Sequence, residues 1–310
     1  MALNYAETYS PELLEILMQG ALTSPFVTDN VRWLDAKTFH FTQMSTSGYK
    51  NHKRDGGWNR GSYAQTDIPF TVTHDRDVEF LVDKAEVDET NKTASIQNIS
   101  RVFEQTQVVP ETDALFFSKV AAAAKKVDGY YSETAATAYT VDNTFSKLKK
   151  FLSAGKLRRY KANGTLIMYV TSAIMDNLES SKEFTRKIEM TQIAEGGLGI
   201  ETRVTDIDGV PIMEVIDDER FYDEFNWEPS NGGFEAKTGA HKINVLIACG
   251  QTCKTVPKIS SIYFFDPGAH TLGDGYLYQN RSLSDVFVFP NGRDGKVDSV
   301  YVDTDTVAVV

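Results

Sequence analysis

Five carboxylates crowded between residues 217 and 224 (Asp217, Asp218, Glu219, Asp223 and Glu224) are the groups in this sequence best placed for acid–base or divalent-metal chemistry. Neighbouring carboxylates shift one another's proton affinity and offer oxygen ligands to hard cations. Adjacent residues on a strand, however, point to opposite faces, and Arg220 sits among these acids to neutralise some of their charge. The pattern therefore reads as a solvated acidic rim, or a patch that meets a basic surface. Its rival is an acidic cleft near Asp217 and Asp218 in a soluble enzyme or ligand-binding protein. Asp206, Asp208 and Gly209 look like a fragment of a calcium loop, but the third acid and the distal glutamate are missing, so a hairpin turn is expected there.

No other constellation supports catalysis. His40, His52, His74, His241 and His270 are scattered, with no pair spaced to hold a metal on one helix face. The sequence has no Gly-x-Ser-x-Gly elbow and no phosphate loop, and the glycines at 196, 197 and 199 precede a strand-like run instead of opening a helix. Cys249 and Cys253 would stand roughly 13 Å apart in an extended segment, too far for a disulfide, and lack a second ligand pair for zinc. Two reduced thiols near a buried strand are expected. The reading is of a protein with no enzymatic activity, no cofactor and no metal.

Those residues must be carried on something, and 310 residues are enough for two domain-sized cores. A hydrophobic fraction of 41% with 24% charged residues predicts a folded chain over most of its length. No apolar run approaches the ~20 residues of a membrane helix, and residues 1–20 carry acids but no basic residue, unlike a targeting peptide. A formal charge of −11 argues against a dedicated nucleic-acid binder, though not against a container for DNA.

Ser10 and Pro11 open a short amphipathic helix that Gly20 would close. Residues 29–44 read as extended. The stretch 45–65 then has four glycines, almost no aliphatic side chains, and Lys50, Lys53, Arg54 and Arg60 against the single acid Asp55. Strand-like alternation resumes at Ile68, Phe70 and Val72. A polar segment this long between such flanks predicts an extended hairpin or arm that leaves its own core. Ile96, Ile99 and Phe103 share a helix face, and Pro110, Glu111 and Asp113 begin a second helical segment, with the proline kinking or dividing the two. Asp142 is expected to cap a helix through Phe151 that stops near Gly155. A buried strand over residues 166–170, a following helix, a hairpin about Asp208-Gly209 and a strand at 243–248 come next. Two long strands, 276–289 and 297–302, are expected to be joined by the turn-rich residues 290–295. The class is α+β with an extended arm.

This order of elements resembles the major capsid proteins of tailed bacteriophages, whose fold is shared with encapsulin shells and the herpesvirus capsid floor. The run Val109-Pro110-Glu111-Thr112-Asp113-Ala114 with Ser118-Lys119 is similar to the one opening their spine helix, and Tyr278, Arg281, Asp285, Phe287 and Val288 fit a late strand motif. Leu283 and Ser284 depart from that motif's usual Tyr-His.

The resemblance implies an N-terminal arm over 1–44, an extended E-loop over 45–80, a peripheral domain from 81–130 and 255–310, and an axial domain over 131–254. It implies pentamers and hexamers of an icosahedral or prolate head around double-stranded DNA, built in the host bacterial cytoplasm. Portal and head-completion proteins would join it, and, because no scaffolding segment precedes the arm, a separate scaffolding protein. Lys50, Lys53, Arg54, Trp58 and Arg60 would lie across an adjacent subunit and face acids such as those at 217–224 or 83–89. No motif identifies a partner asparagine for a lysine crosslink, so cohesion is expected to be noncovalent. An encapsulin-type nanocompartment is the nearest alternative.

Overall fold

The polar stretch turns back on itself. Two strands, β1 (Thr38–Thr46) and β2 (Tyr63–Thr71), pair antiparallel in unbroken register from Thr38↔Thr71 to Thr46↔Tyr63. The hairpin therefore begins before the glycine-rich residues, which form its tip. The computed structural model describes residues 19–28, 33, 35, 37–52, 54, 56–89, 96–162, 164–181, 189–191, 202–271, 273–290 and 296–309. The expected helix at 10–20 lies outside the described residues apart from its last two positions, and so do the glycines at 196–199 and the turn at 291–295.

Only at its root does the hairpin bury apolar side chains on its own chain. Phe39 stacks on Phe70 with ring centroids 5.5 Å apart, and both meet Phe287 edge-on at 5.1 and 5.4 Å. Beyond that plug the outer half of β2 is exposed at every position. A ribbon whose distal half has nothing to bury cannot lie on its own core, so it projects.

The chain next forms β3 (His74–Asp83) and a short helix α1 (Lys84–Glu89). The helices α2 (Ile96–Phe103) and α3 (Val109–Lys125) follow, joined by a π-turn over Glu104–Val108. Pro110 explains that joint: it has no N–H to donate four residues back, and its ring crowds the carbonyl there. The helix widens by one residue per turn just before the proline instead of breaking. Thus Pro110 does not end the helical backbone; α2 runs through the π-turn into α3. Apolar residues cover most of α3, and Ala114, Phe116, Phe117, Val120, Ala121 and Ala124 are fully buried.

The elements that follow build a large mixed sheet. They are β4 (Tyr131–Glu133), α4 (Thr144–Leu152), α5 (Leu157–Lys161), β5 (Leu166–Thr171), α6 (Ser172–Glu179), β6 (Glu189–Thr191), β7 (Thr202–Ile207) and β8 (Val210–Val215). A short pair, β9 (Phe225–Asn226) and β10 (Glu235–Ala236), precedes the long strands β11 (His241–Cys249), β12 (Cys253–Phe265), β13 (Gly275–Val288) and β14 (Tyr301–Ala308). The seven-stranded order is β4-β14-β11-β5-β8-β7-β6. Its two faces are read directly from β11: Val245 and Ile247 join the core under α4 and α6, while Leu246 and Ala248 join the core around α3. A side-chain period of two places successive residues on opposite faces, and burying each large one contributes about 1.5–3 kcal/mol.

The β7–β8 hairpin forms as expected, with Asp208 and Gly209 both at positive φ (54° and 78°), the signature of a tight hairpin turn. Other expectations are corrected. Asn143, not Asp142, occupies the N-cap of α4, and its side chain accepts instead from the Thr140 N–H, 3.0 Å away. The last strand runs over 301–308, not 297–302, and does not pair with the one at 275–288. β13 lies between β12 and β3 in a separate three-stranded sheet, and β14 returns to the large one. Strand β12 escaped sequence reading because Pro257 and several polar residues interrupt it; it is an edge strand with a register shift between Pro257 and Ile259, where a proline is tolerated. The two cysteines are separated by a turn between β11 and β12, not by extended chain. Both are buried and free, and burial pushes the Cys253 thiol up to about 12, so it stays protonated at neutral pH.

Candidate functional site

Three carboxylates hold together the points where the arm, the hairpin and the sheets meet. Asp113, one turn into α3, is fully buried. Its oxygens accept the backbone N–H groups of Leu22 and Thr23 at 3.1 Å, the Thr23 hydroxyl at 2.6 Å and Arg220 Nη1 at 2.9 Å. Arg220 in turn donates from Nη2 to Asp217 at 2.7 Å and to the Gln19 carbonyl at 3.1 Å. Gln19 bonds the Glu214 carbonyl and the Ile216 N–H, and the Tyr169 hydroxyl donates to the Leu22 carbonyl. Residues 19–23 are thus clamped between α3 and the end of β8. Sequence reading gave Asp113 only the role of an N-turn acid; its burial against a residue 107 positions away carries no local signal.

Glu111, two residues earlier, faces the other way. One of its oxygens receives His74 Nε2 at 3.0 Å and Arg76 Nε at 2.8 Å, both from β3. Arg76 also donates to the carbonyls of Trp227 and Gly233, and the His74 ring meets Trp227 edge-on at 4.8 Å. Burial alone would raise the Glu111 carboxyl, but the His74 hydrogen bond and the nearby Arg76 outweigh it and hold it below its ordinary value.

Asp285 on β13 completes the set. It accepts the N–H and hydroxyl of Thr73, at the hairpin's root, at 3.0 and 2.8 Å, and pairs with Lys119 of α3 at 2.9 Å. The two sequence motifs noted above therefore meet at one place, with Lys119 of the first held by Asp285 of the second. Arg281 pairs with Asp75 across the β13–β3 ladder.

The remaining expected site residues separate into two groups. Lys50, Arg54, Trp58 and Arg60 all lie in the exposed hairpin tip, and Lys53 is outside the described residues. Trp58 is 96% exposed and Tyr49 entirely so, and Met44 and Tyr63 of the same hairpin are exposed too. Sequence reading found the cations but passed over Tyr49, Met44 and Tyr63. Among the acids, Asp217 binds Arg220, Asp218 binds Lys242, Asp223 is buried against Lys125 at 2.5 Å, and Glu224 pairs with Lys237 at 2.9 Å. Glu219 is exposed. The five acids thus do not converge on a common centre, as a catalytic pair or metal site would require.

A clamped arm, a projecting hairpin, a long helix crossing beneath a three-stranded sheet and a compact α/β layer together make the fold of tailed-phage capsid proteins. Solved structures share it almost end to end. A structure from Mycobacterium phage Che8 matches with a TM-score of 0.62 at 14% identity, over 96% of both chains. The mature capsid of bacteriophage PhiM1 matches at 0.63 and 12% identity, over 97% of this chain and 91% of that one. The capsid of cyanophage P-SCSP1u matches at 0.61 and 11%, over 98% and 94%. No family model matches the sequence, and no curated protein matches it.

Proposed function

We propose that the chain is a phage major capsid protein, a structural protomer that self-assembles into the closed lattice of a virion head. The observation that carries this is the end-to-end match to the capsids of PhiM1 and P-SCSP1u, with almost nothing left over on either side. A hairpin that its own chain leaves uncovered supports it, since such a ribbon is stable only on a neighbour. No catalytic step is assigned.

In this reading the arm, expected over 1–44, and the E-loop, expected over 45–80 and built on the hairpin of β1 (Thr38–Thr46) and β2 (Tyr63–Thr71), reach between subunits. The peripheral part comprises 81–130 with the region after 255, and the axial part 131–254. The subunits form hexamers and pentamers around double-stranded DNA held without sequence preference, assembled in the host cytoplasm with scaffolding, portal and completion proteins. Lys50, Lys53, Arg54 and Arg60 meet acids of an adjacent copy, while Trp58 supplies apolar contact. Since Asp217, Asp218, Asp223 and Glu224 already have cation partners, the exposed Glu219 and the outward acids of β3 (Asp77, Glu79 and Asp83) are the more available counterparts. Each exposed pair contributes at most about 1 kcal/mol, but the lattice repeats it.

Size-exclusion chromatography with negative-stain microscopy tests the reading, with Lys50, Lys53, Arg54 and Arg60 changed to Ser in parallel. Capsomers or shells from the parent, weakened in the variant, are expected. A monomer at every concentration, even with lysate from infected host cells, would overturn it.

A further inference from the structure

One region's charge runs against that of the whole chain. Residues 143–175 contain none of the 43 acids, yet seven of the 32 lysines and arginines fall between 147 and 161. The fold fixes where they point. Leu148, Phe151, Leu152, Leu157 and Tyr160 of α4 and α5 are buried in the core, which leaves the intervening cations outside. Lys149, Lys150, Lys156, Arg158 and Arg159 are all exposed.

Part of this face is a shaped cleft of about 690 Å³ lined by Lys149, Ser153, Arg158 and Lys161, with Asp208 of the β7–β8 turn on its wall. Arg158 is oriented there by the Ser153 hydroxyl oxygen, which accepts from its Nε at 3.2 Å and its Nη2 at 2.7 Å. Lys149 and Lys161 converge on Asp208 from two helices, at 3.6 and 3.3 Å. One carboxylate thus faces three cations. Among the described residues, no exposed large hydrophobic side chain lies between 142 and 215. A protein partner would want an apolar centre to its footprint, whereas a phosphodiester backbone needs cations alone.

We propose that the α4–α5 face binds the phosphate backbone of nucleic acid without reading its sequence. The proposal rests on the capsid reading for the source of the ligand, the enclosed DNA, and on the local geometry for its chemistry. It places a local basic contact on a chain whose net charge of −11 otherwise repels the polymer.

The test is fluorescence anisotropy of a labelled random-sequence duplex of about thirty base pairs with the full chain, across roughly 50–200 mM salt. The variant Lys149→Gln/Arg158→Gln/Lys161→Gln should bind at least about tenfold more weakly at low salt. Its salt slope should fall by about 2–3, one step per lost phosphate contact. The charge-preserving Lys149→Arg/Lys161→Arg should bind like the parent. Parental affinity and slope in the triple variant, at a parental melting temperature, would overturn the proposal. So would competition by poly-glutamate stronger than by unlabelled DNA, which would mark an acidic protein as the partner. Microscopy of the same samples separates the two readings. Particles whose DNA binding ignores the triple substitution leave the capsid reading and remove this one. DNA binding that depends on this face, without particles under any condition, does the reverse.

Discussion

Asp113 and Arg220, 107 residues apart in sequence, form an ion pair at 2.9 Å in which the aspartate side chain has no exposure and the arginine 1%. Charges taken out of water at that depth are tolerated when most of their remaining hydrogen-bonding capacity is met, and here the arm meets much of it, leaving only the Arg220 Nε without a partner. The Leu22 and Thr23 amides serve the carboxylate and the Gln19 carbonyl serves the guanidinium, so the arm's seat and the ion pair require each other.

Asp113→Ala should therefore cost about 3 kcal/mol or more, because it strands a buried guanidinium as well as two arm amides. Urea unfolding measures the loss, and limited proteolysis near residues 19–28 should show the arm released. A loss below about 1 kcal/mol with an intact arm would mean that Asp217 alone can hold Arg220.

Glu111 predicts an acid-sensitive junction between α3 and β3. Its folded-state carboxyl is held below the ordinary 4.5, so its contribution is present above that value and is lost as pH falls through the lower folded one. At neutral pH, Glu111→Gln should be about 1–2 kcal/mol less stable than the parent. As pH falls below that ordinary value the parent should lose stability more steeply and the two melting curves should converge. Parallel pH profiles would assign the acid response elsewhere.

Gly155 ends the segment after α4 at φ 51°, and a Cβ there would stand 2.3 Å from the Tyr130 hydroxyl, which accepts the neighbouring Lys156 N–H. Gly155→Ala should destabilise by at least about 2 kcal/mol through backbone strain and displacement of that ring. Adding Tyr130→Phe should recover only the part due to the hydroxyl clash, a difference readable by chemical denaturation.

Trp58→Ala and Tyr49→Ser should separate folding from assembly. Both residues are exposed at the hairpin tip, so thermal stability should change by less than about 0.5 kcal/mol. If the tip docks on another copy, the threshold concentration for particle formation should rise severalfold, as for loss of an aromatic anchor. Unchanged assembly would place the docking contact nearer the hairpin's root.

Much of this was legible in local pattern. The glycine-rich polar run between apolar flanks announces a projecting hairpin because such residues have nothing to bury. The alternation at 243–248 announces a strand with two buried faces, and Asp208-Gly209 can hardly be anything but a turn. The π-turn before Pro110 was half visible, since the missing N–H is in the sequence but the response of the helix is not. Strand β12 was hidden by its own proline, harmless only because the strand lies at an edge.

The sequence by itself determined many of the helical, extended and turned segments, β12 and the π-turn excepted, and which stretch must leave the core, since those follow from spacing and from what each residue can bury. Tertiary structure alone decided what the charged residues do. Asp113, Glu111 and Asp285 look like ordinary surface acids until the chain brings Arg220, His74, Arg76 and Lys119 to them, and Asp223 proves buried while Glu219 is exposed. A carboxylate's role depends on its distance from opposite charge and from water, and both distances are set by contacts between residues far apart in the chain.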